Sequence, residues 1–355
     1  MTEPIYFDAR YIRIGHHDGI SRFSAGLCAA LSRLTEVVAI IHDERQLTKL
    51  PTGIRFVKLS NPTNPIAELL IASRLNAIGA KKVFSPMQTM GSLGRKYRLV
   101  LTLHDLIYYA HPTPPPSFSW PIRLGWRIFH LSYLPQRIML NGADAIVTVS
   151  ETTKSLIAKH RLTRKPVFVV YNSGSGVAKA VRGFPEKSLV YMGSFMDYKN
   201  VECLIDALKL LPDFRLHLLS KISDERKTEL QTRSESASDR VVFHNGVTDE
   251  EYQSILGNAF ALVSASKDEG FGIPVIEAME IGTPALISDI AIFREIGGSA
   301  ASFFEPSSPQ GLVECVTKLE DKAVWQKTSE NSRVQASKFS WEKSAAALLK
   351  VLNQI

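Results

Sequence analysis

The stretch from Lys267 to Gly282, KDEGFGIPVIEAMEIG, sets two carboxylates around two glycines and a proline. Leu262 to Ala265 just before it reads as a strand end, and Pro274 suits the first positions of a helix. SKDEGFGI is then a loop at the C-terminal edge of a parallel sheet. Gly270 and Gly272, flanking Phe271, permit close backbone approach to a bound group. The helix that opens near Ile273 offers unpaired N–H groups and a positive dipole end, which suit a phosphate. Glu277, early in that helix, can accept two hydrogen bonds from a vicinal diol such as a ribose, and Glu269 can hold a different polyol. An anion nest with a diol-reading carboxylate on each side suits a nucleotide diphosphate joined to a sugar. Taken singly, Glu269 is equally an exposed loop residue and Glu277 a favourable charge near a helix start.

Other candidates are weaker one by one. LTLHDLIYY ends an apolar strand on His104 and Asp105. His104 can exchange a hydrogen bond with a sugar hydroxyl or serve as a structural histidine, and Asp105 can cap the turn. Lys199, in YMGSFMDYKN, is either an anion ligand or a solvated cap before a helix. The spacing of Gly15 and Gly19 is in itself that of a plain turn. His16 and His17 have no third ligand at suitable spacing, so no zinc or other metal site is expected.

The elements that must position these residues alternate throughout the chain. PIYFDA, VVAIIH, IRFVKL, KVFSP, YRLVLTLHD and AIVTVS read as strands, with amphipathic stretches such as SRFSAGLCAALSRL and IAELLIASRLNAIG between them. The pattern starts again with PVFVVY, SLVYMG, RLHLLS, VVFHNG, FALVSA and PALISD, followed by helices to the end. Apolar strands with helical crossovers predict mostly parallel sheets covered on both faces. Two α/β units are therefore expected, with a boundary near 170–185 and a cleft between them for a ligand.

Composition narrows the function classes. The 355 residues suffice for two cores. MTEPIYFDAR lacks the basic start and apolar segment of a secretory leader, and no run of 18 apolar residues predicts a membrane span. Cys28, Cys203 and Cys315 are widely separated, which predicts reduced thiols and a cytoplasmic setting. Residues 1–175 carry 22 Lys and Arg against 10 Asp and Glu, whereas residues 176–355 carry 20 against 25. The basic first half predicts an anionic partner or an ordinary solvated surface. No recognition motif points to nucleic acid, which is not expected as a partner.

EGFGIPVIEAMEIGTPALISD resembles the signature of retaining glycosyltransferases of family 4, in which two glutamates are separated by seven residues; Glu269 and Glu277 match it. The resemblance covers nearly the whole chain. It implies two Rossmann-like α/β/α domains facing across a cleft (GT-B). The expected division is an acceptor-side domain at 1–175, a nucleotide-sugar domain at 176–335, and a closing helix at 336–355 that packs back on the first. The resemblance also implies that Glu277 holds the nucleotide ribose and that Glu269 lies near the donor sugar. The backbone of Gly270, Phe271, Gly272 and Ile273 then approaches sugar and phosphate, Lys199 grips the diphosphate, and backbone groups of Val247 meet the base. Gly19, with Ile20, matches the first glycine loop near diphosphate and acceptor, although Asp18-Gly19 replaces the usual double glycine. His104 falls where the family commonly has a histidine near the transferred sugar. Ser194 stands where many members carry arginine. Asp249 looks like a helix N-cap, and Trp341 is expected to pack, not react.

The implied reaction is transfer of a hexose, with mannose from GDP-mannose as the leading donor and UDP-sugars next, to a glycan or polyprenyl-linked acceptor. Retention by front-side attack makes Glu269 and Glu277 binders, not nucleophile and acid; His104 and Glu269, near the transferred sugar, are the residues expected to contribute to catalysis, with no cofactor required. SFSWPIRLGWRIFHLSYLPQRIML is expected as an amphipathic surface helix after Pro121, with Trp120, Trp126, Phe129 and Tyr133 toward lipid and Arg123, Arg127 and Arg137 toward phosphate. The same segment suits packing between helices. A peripheral place on the inner face of the cell membrane follows from the first alternative. The competing function is an inactive glycosyltransferase-like assembly subunit, which the loss of arginine at Ser194 permits.

Overall fold

A computed structural model describes residues 3–15, 18–114, 119–174 and 184–355 of the chain. The expectations for His16 and His17, and for most of the turn and loop after Gly174, lie outside these residues. The chain forms two compact units, Met1–Ser173 with Ser340–Ile355, and Gly174–Phe339.

The first unit holds seven parallel strands: β1 (Ile5–Asp8), β2 (Val37–Ile41), β3 (Arg55–Lys58), β4 (Lys82–Ser85), β5 (Arg98–Leu103), β6 (Ala145–Thr148) and β7 (Val167–Val169). Their order is β3-β2-β1-β4-β5-β6-β7. β1, β2 and β6 are buried along their whole length, as strands covered on both faces must be. The order reverses between β1 and β4, so the segments leaving these strands part there and open a crevice at the C-terminal edge.

The second unit repeats the plan with β8 (Ser188–Tyr191), β9 (Arg215–Leu218), β10 (Val241–Phe243), β11 (Ala261–Ser264), β12 (Ala285–Ser288) and β13 (Ser302–Phe304). Their order is β10-β9-β8-β11-β12-β13, all parallel, with the reversal between β8 and β11. Both sheets and their Rossmann-like layering agree with the expected fold class. β13 departs from the expectation of helices alone after PALISD. Its three residues, between Gly298 and Pro306, are too short to show a period, and pairing with β12 from Leu286–Ser302 to Ser288–Phe304 makes them a strand. IAELLIASRLNAIG also breaks in two, Pro65–Leu69 and Ile71–Ala77, at Leu70.

The closing helix Trp341–Gln354 packs on the helix Gly19–Leu31. Ser344 donates its hydroxyl to the Tyr171 carbonyl at 2.6 Å, and Lys82 Nζ reaches Asn353 Oδ1 at 3.2 Å. Trp341 lies edge-on to Phe23, with ring centroids 6.2 Å apart. Its indole covers Gly26, where an added Cβ would overlap the ring. The helices approach so closely because residue 26 has no side chain. Gly26→Ala is therefore expected to destabilise the protein by about 1–3 kcal/mol through overpacking. Thermal unfolding of G26A, W341A and the double variant checks this: the cost of G26A shrinks once the indole is gone, and an unchanged cost would place the strain elsewhere.

Candidate functional site

In the second unit the segments leaving β8 and β11 are tied together at the point where the strand order reverses. After β8, Gly193 N–H donates to Ser220 Oγ at 3.1 Å, and the buried Tyr191 hydroxyl donates to the Ser194 carbonyl at 2.5 Å. Residues Asp197–Lys199 make a 3-10 turn, and Asn200 follows in the left-handed region at φ 53°. Its side-chain amide donates to the carbonyls of Ala265 and Pro306 at 3.2 and 2.7 Å. Lys267 N–H donates to the Tyr198 carbonyl at 2.8 Å. These bonds carry Lys199 to the end of β11, where its Nζ meets Glu269 Oε1 at 2.5 Å; the side chains are 13% and 14% exposed. Glu269 also accepts from Ser266 Oγ at 2.9 Å. Lys199 is therefore half-buried and paired, which the solvated-cap alternative does not describe.

From Glu269 the chain passes through Gly270 to the buried Phe271, whose ring meets Phe339 edge-on at 5.7 Å. Gly272 sits at φ 95°, and a Cβ there would come within 2.9 Å of Phe293 and 3.1 Å of Ile296. Both the backbone angle and the space require glycine. Gly272 caps the helix Ile273–Glu280 without a side chain to fill its N-terminus, and Pro274 occupies its first turn. Glu277 is only 5% exposed. Its Oε2 accepts the Tyr252 hydroxyl at 2.9 Å, so the carboxylate is held in one orientation.

Tyr252 belongs to the helix Asp249–Asn258, which starts two residues after Val247. Asn245 and Gly246 take positive φ of 55° and 101°, turning the chain after β10 so that Val247 precedes the helix. Thr248, not Asp249, is the N-cap: Thr248 Oγ1 accepts from Glu251 N–H and Glu251 returns a bond to Thr248 N–H. Asp249 is the first helical residue, where its charge still favours the dipole. The TDEE run holds both a hydroxyl and a carboxylate that can cap, and the reciprocal pair with Glu251 selects the hydroxyl. Beside Ser194, Arg226 donates Nε to the Phe195 carbonyl at 3.2 Å and is paired with Glu202 and Glu229.

In the first unit a buried ionic network shapes the segment after β1. Arg10 binds Asp8 through Nε at 2.7 Å and Glu68 through both terminal nitrogens at 2.9 Å, while Ser85 Oγ donates to Asp8 at 3.1 Å. Gln46 donates to the carbonyls of Ala9, Arg10 and Ile12. Asp18 caps the following helix through Ser21 N–H, which makes Gly19 its first, exposed residue. His104 follows β5 directly. Its Nε2 lies 2.8 Å from the Pro86 carbonyl, and its ring meets Phe23 edge-on at 5.0 Å. A carbonyl only accepts, so Nε2 carries the proton and Nδ1 keeps the lone pair. Burial pulls the His104 pKa down to about 4 against a weaker upward pull from the Pro86 bond and Asp18. Asp105 accepts Ile107 N–H at 3.1 Å, the turn-capping role open to it.

The structure thus joins Lys199 to Glu269 directly and runs from Glu269 through Gly270, Phe271, Gly272 and Ile273 to Glu277, with Tyr252 linking Glu277 to the helix after Val247. Gly19 and His104 stand in the first unit. Sequence inspection missed Tyr252, Gln46 and the Arg10–Glu68 pair. Only the apolar spacing of Tyr252 and Leu256 hinted that Tyr252 turns inward. Among the described residues, no three His, Cys, Asp or Glu side chains are grouped to hold a metal ion.

Two parallel-sheet Rossmann-like units with this junction define the GT-B class. Residues 17–173 match the description "Glycosyltransferase Family 4", and residues 178–339 match "Glycosyl transferases group 1". The chain belongs to these two-domain glycosyltransferases. It is 30% identical over 225 residues to the O-antigen chain mannosyltransferase RfbU of Salmonella typhimurium, across 62% of this chain and 60% of that one. It is 24% identical over 272 residues to the serotype-specific mannosyltransferase WbdA of Escherichia coli, across 70% of this chain and 32% of the relative. The chain thus spans about 60% and a third of these curated relatives. Sucrose-phosphate synthase from Thermosynechococcus elongatus superposes with a TM-score of 0.76 at 17% identity over 99% of both chains. Anabaena HepE in complex with UDP and glucose superposes with a TM-score of 0.75 at 17% identity over 100% of both.

The neutral His104 has a measurable consequence. Its folded pKa of about 4 lies below the ordinary 6.5. As pH falls below 6.5, the unfolded chain takes up a proton that the folded chain refuses, so stability contributed by neutral His104 is lost progressively until about pH 4. H104Q keeps an amide donor for Pro86 without this titration. The stability of wild type relative to H104Q, measured by denaturant unfolding, is expected to decline from pH 7 to pH 4. A difference independent of pH would show that His104 is not held neutral.

Proposed function

We propose that the protein is a retaining glycosyltransferase that moves mannose from GDP-mannose to a hydroxyl of a glycan or lipid-linked acceptor. The observation that carries this reading is the half-buried Lys199–Glu269 pair at the reversal between β8 and β11, beside the uncapped helix start at Gly272. Open α/β sheets take ligands at such a point, and a cation with unpaired N–H groups suits a diphosphate. Glu277, oriented by Tyr252, is assigned to the ribose diol. Mannose as the transferred sugar rests on the names of the two relatives. A UDP-sugar is the runner-up donor, favoured by the HepE complex.

In this reading Lys199 exchanges part of its contact with Glu269 for the diphosphate, which releases Glu269 toward the donor sugar hydroxyls. The bond from the anomeric carbon to the phosphate oxygen breaks while the acceptor oxygen bonds on the same face. The departing phosphate receives the acceptor proton. Lys199 and the N–H groups at Gly272 and Ile273 stabilise the charge that develops on it, with no resident cofactor assigned. Glu269 and Glu277 are engaged by different partners, Lys199 and Ser266 against Tyr252, and act as binders. His104 offers its neutral Nδ1 as an acceptor for a sugar hydroxyl. Gly19 and Val247 keep the backbone roles given above.

Donor binding is tested by calorimetry and thermal shift with GDP, UDP, ADP and their sugar conjugates. GDP and GDP-mannose are expected to bind selectively. E277A and the shape-conserving E277Q should weaken binding by tenfold or more, about 1.4 kcal/mol. Unchanged affinity in folded E277Q removes the ribose assignment. A wild-type chain that binds no nucleotide would leave the inactive-subunit reading in its place.

The proposal places the protein at the inner face of the membrane as a peripheral protein. No helix among the described residues is long and apolar enough to cross a bilayer. The helix Trp120–His130 has no buried residue, and Trp120, Ile122, Ile128 and Leu131 are 74%, 56%, 59% and 81% exposed beside Arg123 and Arg127. The other expected lipid-facing aromatics are engaged: Trp126 packs on Tyr108, Phe129 on His130, and Tyr133 on Tyr109. Arg137 donates to the carbonyls of His160 and Arg161. Sedimentation with phosphatidylglycerol vesicles should show binding that weakens as salt rises. Salt-insensitive binding removes the electrostatic part, and no binding removes the membrane.

A further inference from the structure

The strands of the first sheet begin at the edge opposite its crevice, and an open recess of about 500 Å³ lies there, walled by Glu3, Lys81, Arg95, Lys96, Tyr97 and Arg98. Glu3 comes two residues before β1, Lys81 just before β4, and Arg95 to Tyr97 just before β5, of which Arg98 is the first residue. Strand pairing alone therefore gathers four cations around one hollow. Ligand pockets commonly enclose about 300–1,000 Å³, so the hollow has the size of one. The six residues of β5, about 20 Å of strand, separate it from the crevice edge.

The backbone under these cations is fixed. Arg98 N–H donates to the Lys81 carbonyl at 2.8 Å, and Lys96 N–H to Asn76 Oδ1 at 2.8 Å. Arg95 is 17% exposed; its Nε donates to the Gly142 carbonyl at 3.0 Å and its Nη1 to Asp144 Oδ2 at 2.7 Å. Asp144 Oδ1 also lies 3.7 Å from Arg98 Nη1, so one carboxylate serves two guanidinium groups. The ammonium groups of Lys81 and Lys96 have no hydrogen bond or ion pair among the described residues. Glu3 and Asp144 thus oppose four cations, and two positive charges are left over. Like charges around one hollow repel, and an anion seated among them removes that cost. The only ring on the wall is that of the buried Tyr97, so an apolar ligand finds no surface to cover. A single carboxylate balances one of the two charges. A phosphate monoester carries about two at pH 7 and offers three acceptor oxygens, which suit lysine and arginine donors.

We infer that this recess is an anion site for a phosphate monoester, bound through Lys81, Lys96 and Arg98 at the edge of the sheet where no strand ends. It goes beyond the glycosyltransferase reading and stands independently of it. The same chemistry is presented by a soluble phosphorylated molecule and by a phosphatidic acid headgroup.

Calorimetry of the full chain with inorganic phosphate at fixed ionic strength tests the assignment. The measurements are made in K199Q, which removes the cation of the proposed donor site. K199Q is expected to bind phosphate. Adding K81A and K96A should weaken that binding tenfold or more, while K81R and K96R should preserve it. The pair K322A and K327A, at two exposed positions on the helix Lys322–Ala336, should leave it unchanged. Lys81 and Lys96 are exposed and their ammonium groups bond to nothing, so their truncation should not shift thermal unfolding. The site is overturned if K199Q binds no phosphate or if loss of Lys81 and Lys96 changes nothing. It is also overturned if loss of Lys322 and Lys327 weakens binding as much, which would make the effect one of overall charge. Sedimentation with vesicles of phosphatidic acid in phosphatidylcholine separates the two sources. Vesicle binding lost with Lys81 and Lys96 assigns the headgroup; vesicle binding absent or indifferent to them, with phosphate binding still dependent on them, assigns a soluble phosphate.

Discussion

An ammonium and a carboxylate 2.5 Å apart with little solvent access, as Lys199 and Glu269 are, organise the second unit. Taking two charges out of water costs several kcal/mol per ion before their attraction and further hydrogen bonds repay it. Stability alone is a weak reason to keep such a pair, since well-packed apolar residues serve as well. Its position supplies a better one. The pair stands where β8 and β11 diverge, and the bonds from Asn200 to Ala265 and from Lys267 to Tyr198 hold the two loops in place around it. On the proposed reading, a pair built into the fold where the strand order reverses would offer an incoming diphosphate a cation already partly desolvated.

Backbone constraints complete the junction. Gly272 must be left-handed and must carry no side chain because Phe293 and Ile296 fill the space behind it. The same residue leaves the next helix uncapped, so packing on one side of the junction and open N–H groups on the other follow from one glycine. Glu277 is fixed from a third element, through Tyr252 on the helix after β10. Three loops at one sheet edge are thereby set by an ion pair, a glycine and a buried hydrogen bond, and none of these depends on a ligand to form.

The fold and the local make-up of the candidate junction were legible in the sequence because their signals are local. Apolar runs such as VVAIIH and FALVSA are strands by composition, and EGFGIPVIE carries its glycines, proline and carboxylates within nine residues. What escaped depends on distant partners. Arg10 finds Glu68 58 residues away, and Tyr252 finds Glu277 25 residues away. Nothing in either neighbourhood marks the pairing. Gln136 looks like an ordinary polar helix position in LPQRIML, yet it is 1% exposed. β13 and the Thr248 cap were missed for a different reason, since three residues show no period and adjacent Thr and Asp both cap well. The aromatic segment after Pro121 was half legible: its exposed helix was expected, but Trp126 and Tyr133 have neighbours to pack against and turn away from solvent.

Net charge and local geometry point in opposite directions here, and geometry is the better guide to where an anion binds. The basic half of the chain carries cations such as Arg123 and Arg127 on the helix Trp120–His130, and Lys81, Arg95, Lys96 and Arg98 at or just before the starts of β4 and β5. The half with a net excess of acidic residues contains the diphosphate candidate, built from one lysine and a helix terminus. Summed charge steers a molecule toward a surface over distances of about a Debye length. Holding a phosphate requires donors placed within about 3 Å, which a few backbone and side-chain groups supply whatever the sign of the domain. The net positive charge of the first unit therefore bears on encounter over distance and not on where a phosphate is held.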